Sequence, residues 1–129
     1  MNVPTASFVK ESEEDLIRKQ TTTHDEDNGV IYKVCGTYAV ARKKPTQEDN
    51  GADAPILRYA DVLLMYVEAV LGAPSSNNYV NNETSDPQAL AAYNVVRKRA
   101  GYAATTTSVS RNELLFERKL EFAFENKRW

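Results

Sequence analysis

Residues 55 to 72 read Pro55-Ile56-Leu57-Arg58-Tyr59-Ala60-Asp61-Val62-Leu63-Leu64-Met65-Tyr66-Val67-Glu68-Ala69-Val70-Leu71-Gly72. Leu57, Ala60, Leu64, Val67 and Leu71 recur at steps of three and four, the period of one helix face. Gly72 and then Pro74 stop the pattern. The other sides carry Val62, Leu63, Met65, Tyr66 and Val70, so the helix is apolar nearly all round and has to be covered on more than one side. The run Val62 to Met65 is far short of the roughly 20 apolar residues that a membrane-spanning helix needs.

Two more helices follow. One starts at Asp86-Pro87, an N-cap with proline at the first helical position, and closes at Ala100-Gly101. The other opens with Ser110-Arg111-Asn112-Glu113, the pattern of a capping box, and runs to Glu125, where Asn126 suits a left-handed cap. The connections Gly72 to Ser85 and Tyr102 to Val109 are expected to join antiparallel neighbours. The fold class is therefore mainly α, built of antiparallel helical hairpins. No repeat of fixed period is strong enough to define a solenoid.

Upstream, residues 1–54 read as an irregular region. A short helix is expected over Ser12 to Lys19, with acidic residues in its first turn. Thr21 to Gly29 is a loop by composition. From Val30 to Ala41, Val30, Tyr32, Val34, Tyr38 and Val40 alternate with a second set, the period and the composition of a strand. Arg42 to Ala54 is a polar connection. Residues 55–129 form the three-helix segment, read as part of a larger domain.

The chain has 129 residues, 42% of them hydrophobic, with 16 basic against 18 acidic side chains and a net charge of −2. That balance offers no basic stripe for nucleic acid. A single cysteine, Cys35, forms no intrachain disulfide and leaves a zinc site without its usual thiolates. On a strand it reads as a small buried hydrophobe. Met1 to Lys10 lacks a positive n-region followed by an apolar one, and no cysteine stands where a lipoprotein signal places it. The expectation is a chain that is not exported, or whose address has been removed or lies outside it.

The last helix stacks Glu117, Glu121 and Glu125 at i, i+4 spacing, which destabilises an isolated helix. Cations have to face them. Arg58, Arg97, Arg99, Arg118 and Arg128 are available, and the bidentate fit of guanidinium to carboxylate points to a structural network of arginine and glutamate. A di-metal bundle would want Glu-x-x-His motifs, and the only histidine, His24, falls in a loop. Glycosidase carboxylates flank a bond from opposite sides, whereas these share one helix face. His24 with Asp25, Glu26 and Asp27 misses the calcium-loop spacing. With no phosphate loop and no nucleophile elbow, no catalytic residue, metal ligand or cofactor is expected.

Aromatics remain. Tyr59, Tyr66, Tyr93 and Phe122 lie in helices and read as core. Tyr79 stands in an amide-rich loop, Ser75-Ser76-Asn77-Asn78-Tyr79-Val80-Asn81-Asn82, and a ring beside amides suits sugars. Asn77, Asn78 and Tyr79 are the candidate ligand-binding residues.

The three helical stretches together resemble the SusD/RagB family. Arg58 to Ala69 is similar to the family's helix of Arg, apolar, Ala, acidic residue and an apolar run ending Ala-Glu-Ala. Asn94-Val95-Val96-Arg97-Lys98-Arg99-Ala100-Gly101 resembles Asn-x-Val-Arg-x-Arg-Ala-Gly. Glu117 to Trp129 resembles Glu-Arg-Arg-x-Glu-Leu-Ala-Phe-Glu-Gly-x-Arg-Trp. Val67, Lys119 and Asn126 depart from the usual alanine, arginine and glycine. Family members are much longer, so the chain reads as an internal or truncated piece. The resemblance implies tetratricopeptide-like helix pairs in a lipid-anchored protein of the outer membrane surface of Bacteroidetes. Such a protein binds glycans or other nutrients without catalysis and caps a TonB-dependent SusC-like transporter. The anchor is expected to lie outside this chain. The competing expectation is a cytoplasmic helical scaffold that grips peptides between helices.

Overall fold

The computed structural model describes residues 5–11, 15–18, 56–72, 82–103, 105–123 and 125. Their elements are α1 (Ala6–Glu11), α2 (Leu16–Arg18), α3 (Tyr59–Leu71), β1 (Glu83–Thr84), α4 (Pro87–Arg99), β2 (Val109–Ser110) and α5 (Arg111–Glu121). The fold is mainly α, as the hydrophobic period requires, with one small sheet in which β1 and β2 pair antiparallel, Glu83 opposite Ser110 and Thr84 opposite Val109. No helix among the described residues is long and apolar enough to cross a membrane. The strand expected over Val30 to Ala41 lies outside the described residues.

The chain divides into two compact units, Met1–Pro55 with Ala123–Lys127, and Ile56–Phe122 with Arg128–Trp129. In the first, the hydroxyl of Thr5 accepts the Phe8 amide at 3.3 Å and so starts α1, which the sequence period does not announce. Asp15 caps α2 by accepting the Arg18 amide at 3.1 Å, and its other oxygen takes the Arg18 guanidinium at 2.7 Å.

The second unit is built around α3. Its buried stripe, Ala60, Leu64, Val67 and Leu71, packs with Ala89, Ala92, Tyr93 and Val96 of α4, with Leu114 of α5, and with Val109 and Phe122. Polar pairs give the directions. Arg111 reaches the carbonyl of Gly72 while Arg58 reaches Glu121, so α3 and α5 run antiparallel. Tyr93 contacts Glu113, Arg97 contacts Glu117 and Arg99 contacts Glu121, so α4 and α5 advance side by side in the same direction. The antiparallel hairpin is thus α3 with α4, whereas the Tyr102 to Val109 connection carries the chain back to a parallel neighbour, contrary to expectation. Pairing of β2 with β1 at the far end of α4 makes that return possible.

The helix ends follow local chemistry. Asp86 accepts the amides of Gln88 and Ala89 at 3.0 and 2.8 Å. Ser110 and Glu113 form the reciprocal capping box, Glu113 accepting the Ser110 amide at 2.7 Å and Ser110 accepting the Glu113 amide at 3.3 Å. At the end of α4 the Tyr102 amide donates to the Arg97 carbonyl, across Gly101 with φ +92°. Two boundaries differ from expectation. The first helix begins at Tyr59, after Arg58 in an extended conformation, so Leu57 precedes the helix and is exposed rather than buried. The last helix ends at Glu121, and Phe122 leaves helical geometry with its ring buried in the core.

Candidate functional site

Glu117 and Glu121 lie one turn apart on the inner side of α5, at 1% and 3% relative exposure. Carboxylates so removed from water need compensating charge. Arg97 of α4 donates to Glu117 Oε2 at 3.1 Å. Arg58, just before α3, donates to Glu121 Oε1 at 2.9 Å and to the Glu121 backbone carbonyl at 3.1 Å, and Arg99 of α4 donates to the same carboxylate oxygen. Arg118 of α5 turns the other way, to Asp61 Oδ1 at 3.4 Å and towards Glu68 at 3.9 Å on α3. Every pair joins two elements of the unit.

Rings complete the cluster. The Arg97 guanidinium lies 3.9 Å from the centroid of Tyr102 and 5.7 Å from that of Tyr93. Arg58 and Arg118 lie 5.1 and 5.3 Å from Phe122. Such contacts favour the planar guanidinium over lysine. Burial first, and then the neighbouring Glu117 carboxylate, push the Tyr93 hydroxyl up to about 12, against the opposing pull of Arg97.

The C-terminal end of α3 is closed by side chains from distant sequence. Asn82 donates to the Leu71 carbonyl at 2.7 Å and Arg111, itself buried, donates to the Gly72 carbonyl. These take helix-end acceptors that have no partner within the helix. On α4, Asn94 clamps Thr106 at both amide positions, at 2.9 and 3.2 Å. The clamp holds the threonine loop beside an open groove of about 560 Å³, lined by Leu90, Val95, Lys98, Thr105 and Thr107 among others. Asn82, Asn94 and Arg111 stand in motifs read from the sequence, but these contacts and the groove are not legible there.

Of the residues selected from sequence, the structure brings Arg58, Arg99 and Glu121 together, and Arg97 with Glu117. Glu125 lies past the end of α5, so it does not continue the i, i+4 ladder on that helix. Asn77, Asn78, Tyr79, Arg128, His24 and Cys35 lie outside the described residues. Tyr93 and Phe122 are core, whereas Tyr59 and Tyr66 are exposed, the latter donating to Gln88 at 3.1 Å. Among the described residues no group of three or more histidine, cysteine, aspartate or glutamate side chains could hold a metal ion.

The geometry defines a helical unit whose elements are joined by guanidinium and carboxylate pairs. The family comparison gives the same class a name: the SusD family model matches residues 7–129, and the chain belongs to that family. A SusD-like protein of Bacteroides ovatus is 34% identical over 116 residues, a match covering 80% of this chain and 19% of that protein. The chain therefore spans about a fifth of the length of this curated relative. No solved structure matches it at a significant level.

Proposed function

We propose that the chain is part of a cell-surface binding protein that captures oligosaccharides or related nutrients and hands them to a TonB-dependent SusC-like transporter. In this reading the protein sits on the outer membrane surface by a lipid anchor and binds rather than catalyses. The observation that carries it is the family match over residues 7–129. The arginine and glutamate cluster serves as the docking joint of the helices, since each pair links separate parts of the unit and one oxygen of each carboxylate accepts from guanidinium. Ligand contact falls to the amide-rich loop, with the Tyr79 ring stacking on a sugar face and Asn77 and Asn78 bonding its hydroxyls.

The test is affinity electrophoresis of the polypeptide that carries this chain against a panel of polysaccharides, with co-purification of a large outer-membrane barrel. Retardation by at least one glycan is expected, together with at least tenfold weaker binding in Tyr79→Ala at unchanged melting temperature. Full affinity in that variant would remove the loop from the site, and absence of both glycan and barrel binding would reject the reading.

A further inference from the structure

The chain returns from the end of α4 to β2 alongside α4 itself. Asn94 holds Thr106 by both its amide groups, and Val109 pairs with Thr84 just before α4 begins. Residues 105–107 therefore run antiparallel to the helix and form a second wall beside it. The groove between them, about 560 Å³, falls within the size range of small-molecule sites. On the helix side it extends from Pro87 to Lys98, roughly three turns or about 16 Å. Its loop wall is tied down by the Asn94 clamp at 2.9 and 3.2 Å. A wall fixed beforehand spares a ligand the entropic cost of ordering it.

The chemistry of the groove is one-sided. Leu90, Ala91 and Val95 give it an aliphatic surface, and its described lining residues include no aromatic ring and no acidic side chain. A sugar face finds no ring to stack on there. Thr105 and Thr107, both exposed, border it with hydroxyls, and the chain direction puts Thr105 on the Lys98 side of the clamp. Lys98 is the single charge in the lining. Its sequence neighbours Arg97 and Arg99 are engaged by Glu117 and Glu121. Lys98 is not so engaged: α4 carries no acidic residue, and among the described residues no carboxylate pairs with this ammonium. An uncompensated cation at one end of an aliphatic trough is complementary to an anion with an apolar body.

We propose that this groove binds a free aliphatic carboxylate of medium chain length, its hydrocarbon body along Leu90, Ala91 and Val95 and its carboxylate at the Lys98 ammonium. Thr105 offers a hydroxyl donor at the same end. A neutral glycan gains nothing from Lys98, and a cationic ligand is repelled by it. The site is separate from the amide-rich loop to which glycan contact is assigned, so neither reading depends on the other.

The experiment titrates the polypeptide that carries this chain, at pH 7, with decanoate labelled with carbon-13 at its carboxyl carbon and kept below its micelle concentration. Binding is read as a shift of the carboxyl resonance, and decanamide in competition reports the contribution of the charge. Saturable binding of decanoate is expected, with Lys98→Gln weakening it about fivefold and leaving decanamide unchanged. Ala91→Phe, which fills the trough from an exposed position, should weaken both ligands about tenfold at unchanged melting temperature. Absence of saturable binding would overturn the proposal. Undiminished binding in both variants would do so too, by placing the ligand on other exposed apolar surface such as that of Val62 and Met65 on α3. Displacement of decanoate by an oligogalacturonate at equal or lower concentration would assign the groove to acidic sugars instead and overturn the aliphatic assignment.

Discussion

At Glu121 two guanidiniums share one carboxylate oxygen, but they stand in different surroundings. The Arg58 side chain is 22% exposed and also bonds the Glu121 carbonyl, whereas the Arg99 side chain is 61% exposed. An exposed ion pair contributes little, while removal of one partner from a buried pair strands the other. Glu121→Ala is therefore expected to cost about 3 kcal/mol or more, and Arg99→Ala about 0.5 kcal/mol. Denaturant titration followed by circular dichroism checks the ranking, and equal losses would show that the cluster is a solvated surface feature. Tyr93 gives a second residue-scale test. Folding keeps its hydroxyl neutral to about pH 12, whereas an unfolded tyrosine ionises near pH 10. The unfolded chain then binds fewer protons between those values, so the contribution is complete below about pH 10 and is lost as pH rises towards 12. Melting temperatures at about pH 9 and pH 11.5 should fall more steeply for the native chain than for Tyr93→Phe, and parallel falls would contradict this.

At the scale of elements, the interactions legible in the sequence are those that close within three or four residues. The Asp86 cap and the Ser110 and Glu113 capping box bond amides two and three positions away, so each helix start can be read without knowing the fold. Ser110→Ala and Asp86→Ala are each expected to cost about 1 kcal/mol, measured by thermal melts at 222 nm. Losses confined to a few tenths would mean that packing alone sets these helix starts. Matching of charges across helices is another matter. Arg58 and Glu121 are 63 positions apart, and only the relative register of α3 and α5 decides that they meet. The period of α3 also failed at its edge, because Leu57 sits three before Ala60 and fits the stripe although the helix has not yet begun. Tyr59 and Tyr66 read as core because they lie in a helix, yet a helix apolar on two faces does not reveal which one is covered. Strands of two residues, as in β1 and β2, are too short for alternation to show. The candidate loop at Asn77 to Tyr79 rests on composition alone, and the strand at Val30 to Ala41 on period and composition.

Across the Ile56–Phe122 unit, α3 is the element that both other long helices share. It runs antiparallel to each, and the α4 and α5 pair is bridged by Arg97 and Glu117 and by Arg99 and Glu121 rather than by a continuous apolar seam. The apolar core includes three alanines, so a few large side chains carry most of it. Leu64 is fully buried at the middle of α3, within the cluster that contains Tyr93, Val96 and Leu114. Truncating such a leucine costs about 2–5 kcal/mol, because both transfer energy and contacts across the cavity are lost. Whole domains have only about 5–15 kcal/mol to lose. Leu64→Ala should therefore remove a large share of that reserve and make α3, α4 and α5 open together more often, since none of them keeps a packed apolar face without the others. Hydrogen exchange of the central amides of all three helices is the decisive measurement. Simultaneous loss of protection is expected, and persistence of α4 and α5 after α3 has opened would show that the ion pairs alone can hold that pair.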